Sequence, residues 1–149
     1  ILRNNENYKE SDTFKSGNKL ETFHINGWKF GHSICYDLRF PKLYRYLAKL
    51  GSKAIVIPSA FTYTTGKAHW HTLVRARAIE NGVFILAPNQ WGVNNERRST
   101  FGRSLVVDPW GEIIAEAEDK EIIMNCEIDL DKVEECQKSI PVLNHDIDF

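Results

Sequence analysis

The chain has 149 residues, of which 42% are hydrophobic and 26% are charged, values typical of a globular domain with a packed core. Its formal net charge of -1 gives no basic excess, so the composition does not indicate nucleic acid or an anionic membrane as a partner. The three cysteines, Cys35, Cys126 and Cys136, match no zinc-binding spacing and favour a reduced, intracellular setting. We therefore expect a cytoplasmic protein, with the mitochondrion as the alternative compartment.

The first predicted regular structure is a hairpin. The polar first nineteen residues predict loop, and the absence of an initial Met suggests a fragment or a processed chain. Residues 20–25 and 28–34 alternate between apolar and polar side chains, and Asn26-Gly27 between them is a strong turn signal. The second strand leads directly into the first cysteine.

A strand–helix–strand unit follows the hairpin. A helix is predicted to begin at Pro41, because proline suits a first helical turn, and to end before Gly51, which suits the C-terminal cap. Residues 54–57 form a short apolar run that predicts a strand buried on both faces. This order of elements predicts parallel strands joined by a right-handed crossover.

The second half of the chain continues the alternation of helix and strand. A helix is predicted over residues 67–81 and is stopped by Gly82. Asp129 or Asp131 would cap a last amphipathic helix that ends near Ser139. Further strands are predicted at residues 83–87, 105–107, 113–117 and 122–128, the second and third forming a hairpin. The fold class is α/β, a single domain over residues 1–149 with antiparallel hairpins added to a crossover sheet.

Cys35 is the leading candidate for chemistry. It follows a predicted strand and precedes a predicted helix, so it occupies a strand-to-helix elbow at the carboxyl edge of the sheet. Backbone N–H groups at such an elbow favour a thiolate and can hold a developing oxyanion, which suits acyl transfer. The alternative is that Cys35 is a small buried hydrophobic residue.

Several sequence blocks, in the right order, resemble those of the nitrilase superfamily of carbon–nitrogen hydrolases. The blocks are GHSICYDLRFP at residues 31–41, PSAF at 58–61, TGKAHW at 65–70, RARAIEN at 75–81, GRS at 102–104 and DPWG at 108–111. The resemblance extends over residues 8–145 and is strongest to the amidase branch whose members act on deaminated glutathione, with the omega-amidases as close neighbours.

The resemblance implies an architecture and a reaction class. Members of the superfamily have a four-layer αββα sandwich, a Glu–Lys–Cys triad, no metal or cofactor, and a tendency to dimerise through helices. A small amide substrate is implied, with neither nucleic acid nor membrane as a partner. The triad glutamate and lysine are expected upstream of this chain, which resembles the C-terminal half of the fold. Lys9, Lys15 and Lys19 do not match the position of the triad lysine.

The resemblance also implies catalytic roles for individual residues. Cys35 would attack the amide carbon and form a thioester, and the backbone N–H of Tyr36 would donate a hydrogen bond to the oxyanion. Glu10 matches an accessory glutamate beside the triad that orients the lysine or the hydrolytic water. The alternative for Glu10 is a solvated charge in a loop.

Other residues match substrate contacts in relatives. Arg39 and Thr65 correspond to groups that bind the substrate carboxylate; the alternatives are an ion pair of Arg39 with Asp37 and a helix cap at Thr65. Phe61 and Trp70 are candidates to line the pocket or, alternatively, are core aromatic residues.

Glu80 corresponds to a residue that supports the site through hydrogen bonds, and an ion pair with Arg75 or Arg77 is its alternative. Two histidines, His69 and His71, are two positions apart on a helix, which is a poor arrangement for sharing a metal ion.

Two other functions stay open. The chain could be a catalytically inactive module for binding or oligomerisation, because two triad members are absent from it. A nitrilase proper would share the cysteine, but the flanking sequence CYDLRFP favours an amidase.

Overall fold

The computed structural model describes residues 2–3, 6–7, 10–95 and 98–147, with side chains from 11 to 93 and from 99 to 147. The helices in this part of the chain are α1 (Pro41–Lys49), α2 (Tyr63–Ile79) and α3 (Lys132–Ser139), with 3-10 turns at Glu10–Asp12 and Cys35–Arg39. The strands are β1 (Leu2–Arg3), β2 (Glu6–Asn7), β3 (Glu21–Ile25), β4 (Trp28–His32), β5 (Ala54–Val56), β6 (Phe84–Ala87), β7 (Trp91–Asn95), β8 (Arg98–Phe101), β9 (Leu105–Val107) and β10 (Ile113–Glu116).

A six-stranded mixed sheet organises the molecule. Its strand order is β10-β9-β6-β5-β4-β3, and the central strands β4, β5 and β6 are parallel. The outer strands form antiparallel hairpins, β3 with β4 on one side and β9 with β10 on the other. This confirms the predicted α/β class, with hairpins added to a crossover sheet.

The first hairpin has the turn that its sequence predicts. Asn26 and Gly27 both have positive φ values, 50° and 82°, as a two-residue hairpin turn of the favoured kind requires. The rings of Phe23 and Phe30 stack across the two strands at a centroid distance of 5.6 Å. The turn and this cross-strand pair fix the register of β4, the strand that leads into Cys35.

The core lies between the sheet and helices α1 and α2. Gly31, Ile55, Ile85 and Val107 stand in register across four neighbouring strands and are all buried. A Cβ at Gly31 would lie 3.2 Å from the Leu47 side chain, so the glycine allows α1 to approach the sheet closely. Each fully buried isoleucine stabilises the fold by roughly 1.5–3 kcal/mol through removal of apolar surface from water.

Helix α2 begins earlier than the predicted boundary at residue 67. Thr62, with extended backbone at φ -60° and ψ 149°, occupies the N-terminal cap, and Gly66 lies inside the first turns. The glycine therefore marks a close contact rather than a helix start. A Cβ at Gly66 would overlap the side chain of Phe101 on β8.

We predict that Gly66→Ala destabilises the protein by about 1–3 kcal/mol, because the new methyl group must displace Phe101 or the α2 backbone. The measurement is the midpoint of urea unfolding. Gly17→Ala is the matched control, because a Cβ at Gly17 meets no atom within 4 Å. Equal stability of the two variants would show that the contact between α2 and β8 adjusts at little cost.

Two predictions about the peripheral segments are wrong. Residues 122–128 were expected to form a strand, but no regular structure is found there. A strand needs a neighbour that completes its hydrogen bonds, and within the described ranges no strand pairs with this segment. The segment instead lines an apolar groove with Leu86 of β6. Near the N-terminus, the pair β1–β2 and the 3-10 turn replace part of the predicted loop.

The predicted features after β6 are mostly confirmed. Asp108 accepts the backbone N–H groups of Trp110 and Glu112, each at 2.9 Å, in the turn between β9 and β10. The β7–β8 hairpin has no counterpart among the predicted elements. Helix α3 has Asp131 at its N-terminal cap position, without a side-chain cap bond. In the part of the chain that the structure describes, no helix is long and apolar enough to cross a membrane.

Candidate active site

Cys35 lies at the elbow that the sequence predicts. It opens the 3-10 turn Cys35–Arg39, here called the Cys35 turn, three residues after β4 ends. Its N–H donates to the carbonyl of Pro58, beyond the end of β5, at 3.0 Å. Its φ of 45° is in the left-handed region, which non-glycine residues adopt at an energetic cost and which occurs often at functional sites.

The loop after β5, which contacts the Cys35 turn through Pro58, is joined to the loops after β6 and β8. Asn89, buried in the loop after β6, accepts the N–H of Phe61 at 3.0 Å and donates to the carbonyl of Gly102 at 2.6 Å. It thereby joins the loops that follow β5, β6 and β8. Asn89 is not among the site residues predicted from the sequence, although a polar residue directly after a buried strand and Pro88 is a usable signal for this edge.

Arg39, at the end of the Cys35 turn, has a defined environment. Its guanidinium carbon lies 5.6 Å from the centroid of the Tyr36 ring and 5.3 Å from that of Phe61. Its Nη1 lies 3.3 Å from Nδ1 of His69, and since arginine only donates, Nδ1 is the acceptor. Asp37, the alternative partner for Arg39, accepts the N–H of Ile34 at 3.0 Å. The contacts therefore favour a positioned cation over a pair with Asp37.

The remaining candidate substrate contacts are more deeply placed. Thr65 is buried in the first turns of α2, with Oγ1 2.9 Å from Oγ1 of Thr62. The Phe61 and Trp70 rings pack with centroids 4.9 Å apart, and Trp70 donates from Nε1 to the carbonyl of Arg103 at 2.7 Å. Such packing is typical of core residues. Contact of Phe61, Trp70 and Thr65 with substrate stays a prediction.

Glu80 forms the ion pair that was its alternative role. Arg77 donates from Nη1 to Glu80 at 2.8 Å, and its Nε and Nη2 donate to the carbonyl of Leu38 at 3.0 and 2.8 Å. Glu80 therefore contacts the arginine that holds the Cys35 turn. The sequence indicated Arg77 only as an ion-pair partner, because nothing in the pattern shows a contact with a residue 39 positions away.

Tyr44 and Ser33 form a second buried contact that the sequence did not suggest. Their hydroxyl oxygens are 2.7 Å apart. Burial raises the pKa of Tyr44 well above the ordinary value for tyrosine, and the nearby Asp37 carboxylate raises it further. The phenol of Tyr44 therefore stays protonated, and its contact with Ser33 holds the chain two residues before Cys35.

The other cysteines lie in different settings. Cys126 is exposed in the irregular segment, and Cys136 is partly buried on α3, where burial and Asp108 raise the pKa of its thiol. None of the three cysteines, all of which are described, forms a disulfide. A raised pKa leaves less thiolate at neutral pH, so Cys136 has a poor setting for a nucleophile.

Two more predicted features can be placed only in part. Glu10 begins the 3-10 turn Glu10–Asp12, and its side chain lies outside the described residues. His71 contacts Glu116 at 3.0 Å, whereas His69 faces Arg39. Within the described residues, no three His, Cys, Asp or Glu side chains are grouped to hold a metal ion.

Cys35 with its left-handed backbone, Arg39 at the end of the same turn and the loops that meet beside them form the candidate site. Comparison with known proteins gives the family. Residues 2–138 match the model of the carbon-nitrogen hydrolase family, and the chain belongs to that family. This confirms the resemblance inferred from the sequence blocks.

Individual relatives agree with this assignment. The chain is 44% identical over 140 residues to deaminated glutathione amidase from Synechocystis, covering 93% of this chain and 52% of that protein. It is 43% identical over 137 residues to deaminated glutathione amidase from Dictyostelium discoideum, covering 91% of this chain and 47% of that protein. The chain thus spans about half the length of these curated relatives.

Solved structures give the same fold. The NitFhit protein of Caenorhabditis elegans matches with a TM-score of 0.90 and 39% identity, covering 98% of this chain and 36% of that one. Nit3 of Saccharomyces cerevisiae, a member of branch 10 of the nitrilase superfamily, matches with a TM-score of 0.83 and 39% identity, covering 89% and 49%. The predicted nitrilase-like fold is therefore confirmed for the part that this chain represents.

Proposed function

We propose that this chain supplies the nucleophile and part of the substrate site of an amidase that hydrolyses a small, carboxylate-bearing amide. The observation that carries the proposal is the placement of Cys35 and Arg39 at opposite ends of one short turn. A nucleophile and a fixed cation on the same rigid turn would hold an amide carbon and a carboxylate at a set separation.

The reaction begins with attack of Cys35 Sγ on the amide carbon. The resulting oxyanion accepts a hydrogen bond from the N–H of Tyr36, the second residue of the turn, where the helical pattern supplies no acceptor. The carbon–nitrogen bond then breaks, the nitrogen takes up the proton that the thiol has lost and leaves as ammonia, and a thioester remains on Cys35. Water adds to the thioester, frees the carboxylic acid and returns the thiol. Glu10 is proposed to orient that water.

Arg39 is proposed to bind the substrate carboxylate together with Thr65. The planar guanidinium can offer two parallel N–H donors, which matches the two oxygens of a carboxylate. Tyr36, Phe61 and His69 hold it in place, so less rotational freedom is lost when substrate binds. Phe61 and Trp70 line or support the pocket, and Glu80 supports it through Arg77.

The relatives that act on deaminated glutathione support a substrate of that kind or another short omega-amide. A homodimer, a cytoplasmic setting and a reaction without metal or cofactor are further parts of this proposal. The single-domain reading of residues 1–149 likewise stays a prediction.

The test compares two amides of equal length, glutaramic acid and pentanamide, with the complete protein that the gene encodes. We predict release of ammonia from glutaramic acid, and a decrease of roughly 10²-fold in its kcat/KM in Arg39→Met, because a charge-assisted contact is lost. The kcat/KM for pentanamide should change little, since pentanamide has no carboxylate.

Arg45→Met is the control, because Arg45 on α1 forms an ion pair with Asp146, Nε to Oδ1 at 3.6 Å, whereas Arg39 contacts Tyr36, Phe61 and His69. An equal loss with both amides would contradict the role of Arg39. If neither amide releases ammonia, the result would favour a catalytically inactive module for binding or oligomerisation.

A further inference from the structure

The Cys35 turn is held from both sides by buried side chains. On the preceding side, the Ser33 and Tyr44 hydroxyl oxygens are 2.7 Å apart. On the following side, the Leu38 carbonyl accepts two N–H groups of Arg77, at 3.0 and 2.8 Å. Cys35, two residues after one contact and three before the other, has the left-handed backbone that only a well-supported turn retains.

One guanidinium connects these two sides. Arg77 is only 5% exposed, and its carbon atom Cζ lies 5.4 Å from the centroid of the Tyr44 ring. Its third interaction, with Glu80 at 2.8 Å, balances the buried charge and sets the rotation of the planar group. Arg77 therefore contacts the Leu38 carbonyl, three residues after the cysteine, and the Tyr44 ring, whose hydroxyl contacts Ser33, two residues before the cysteine.

A simple packing role does not require this arrangement. An apolar side chain of similar volume would fill the same space without the cost of removing a charge from water. The arrangement needs arginine itself, because lysine has no planar fork with which to donate twice to one carbonyl.

We propose that Arg77 is a positioning residue for Cys35. It acts through the Leu38 carbonyl and Tyr44, and it sets the backbone that aims Sγ and the Tyr36 N–H at the amide carbon. The inference rests on the proposed function of Cys35 as nucleophile, but its effect on the geometry of the thiol can be measured without any amide substrate.

The test uses Arg77→Lys in the complete protein, with two readouts. The first is kcat and KM for glutaramic acid; we expect kcat to fall about 10²-fold, because small displacements of a reacting group have effects of this size. The second is the rate of Cys35 alkylation by iodoacetamide, which should fall about tenfold, because a displaced turn no longer holds its backbone N–H groups where they favour the thiolate.

Arg75→Lys is the matched control. Arg75 lies on the same helix and also donates to a backbone carbonyl at 2.8 Å, but that carbonyl belongs to Gly111, in the turn between β9 and β10. This variant should retain the wild-type kcat and alkylation rate. An equal loss in Arg75→Lys would overturn the proposal, since general weakening of α2 would then explain both results.

Tyr44→Phe covers the case in which Arg77→Lys does not fold. It keeps the ring under the guanidinium and removes only the hydroxyl, so a folded variant with a slower alkylation rate would support the proposal. Alkylation at the wild-type rate in the folded variants would overturn it. If wild type releases no ammonia from the amide, the alkylation rates alone decide, so failure of the amidase proposal is distinguishable from failure of this one.

Discussion

Replacement of Cys35 by alanine is expected to abolish ammonia release by the complete protein, with kcat reduced by about 10⁴-fold or more. The physical reason is that the thioester cannot form without the sulfur atom, and no other cysteine lies on the Cys35 turn. Mass spectrometry after a rapid acid quench should detect the acyl group on the peptide that contains Cys35 in wild type.

Cys126→Ala is the control for this prediction, because Cys126 is exposed and lies in an irregular segment that is not part of the Cys35 turn. It should retain wild-type kcat and the same acyl adduct. Substantial turnover by Cys35→Ala, or an adduct on another cysteine, would contradict the assignment of the nucleophile.

Replacement of Trp70 by alanine is expected to have the largest effect on stability. Trp70 is fully buried, packs on Phe61 and donates to the Arg103 carbonyl, so its loss leaves a large cavity and removes a hydrogen bond. A decrease of about 3–5 kcal/mol in the free energy of unfolding is expected for such a change. Urea unfolding followed by circular dichroism measures it.

Trp110→Ala is the control, because Trp110 is 58% exposed and should change the free energy of unfolding by less than about 0.5 kcal/mol. Trp70→Phe separates the two roles considered for this residue. If Trp70→Phe is much more stable than Trp70→Ala and has the wild-type KM, Trp70 acts through the core. A raised KM in a stable Trp70→Phe variant would instead indicate contact with substrate.

The sequence predicts the parts of the fold that depend on neighbouring residues. Asn26-Gly27 specifies a hairpin because both positions tolerate positive φ, and Pro41 with Gly51 brackets α1 through backbone preferences alone. Where distant residues decide, prediction fails. The predicted start of α2 at residue 67 is too late, because the first turns contain Gly66, whose close contact with Phe101, 35 positions away in sequence, leaves no local pattern.

The candidate site shows the same division. The position of Cys35 at an elbow follows from a strand and a helix that are close in sequence. The contacts that support the elbow and join the loops beside it do not follow from neighbouring residues. Arg77 donates to a carbonyl 39 positions away, and Asn89 donates to one that is 13 positions away. A contact between a side chain and a backbone carbonyl leaves no pattern in the acceptor residue, since every residue has the same carbonyl.

The left-handed backbone at Cys35 also restricts which other nucleophiles this position can accept. Left-handed φ brings Cβ close to the following carbonyl oxygen, at a cost of roughly 1–2 kcal/mol that branching at Cβ increases. Cysteine and serine have a single γ atom and can occupy this conformation, whereas threonine carries a second. A substitution of the nucleophile at position 35, natural or engineered, should therefore favour a side chain that is unbranched at Cβ. The backbone conformation imposes this preference as much as the reactivity of sulfur does.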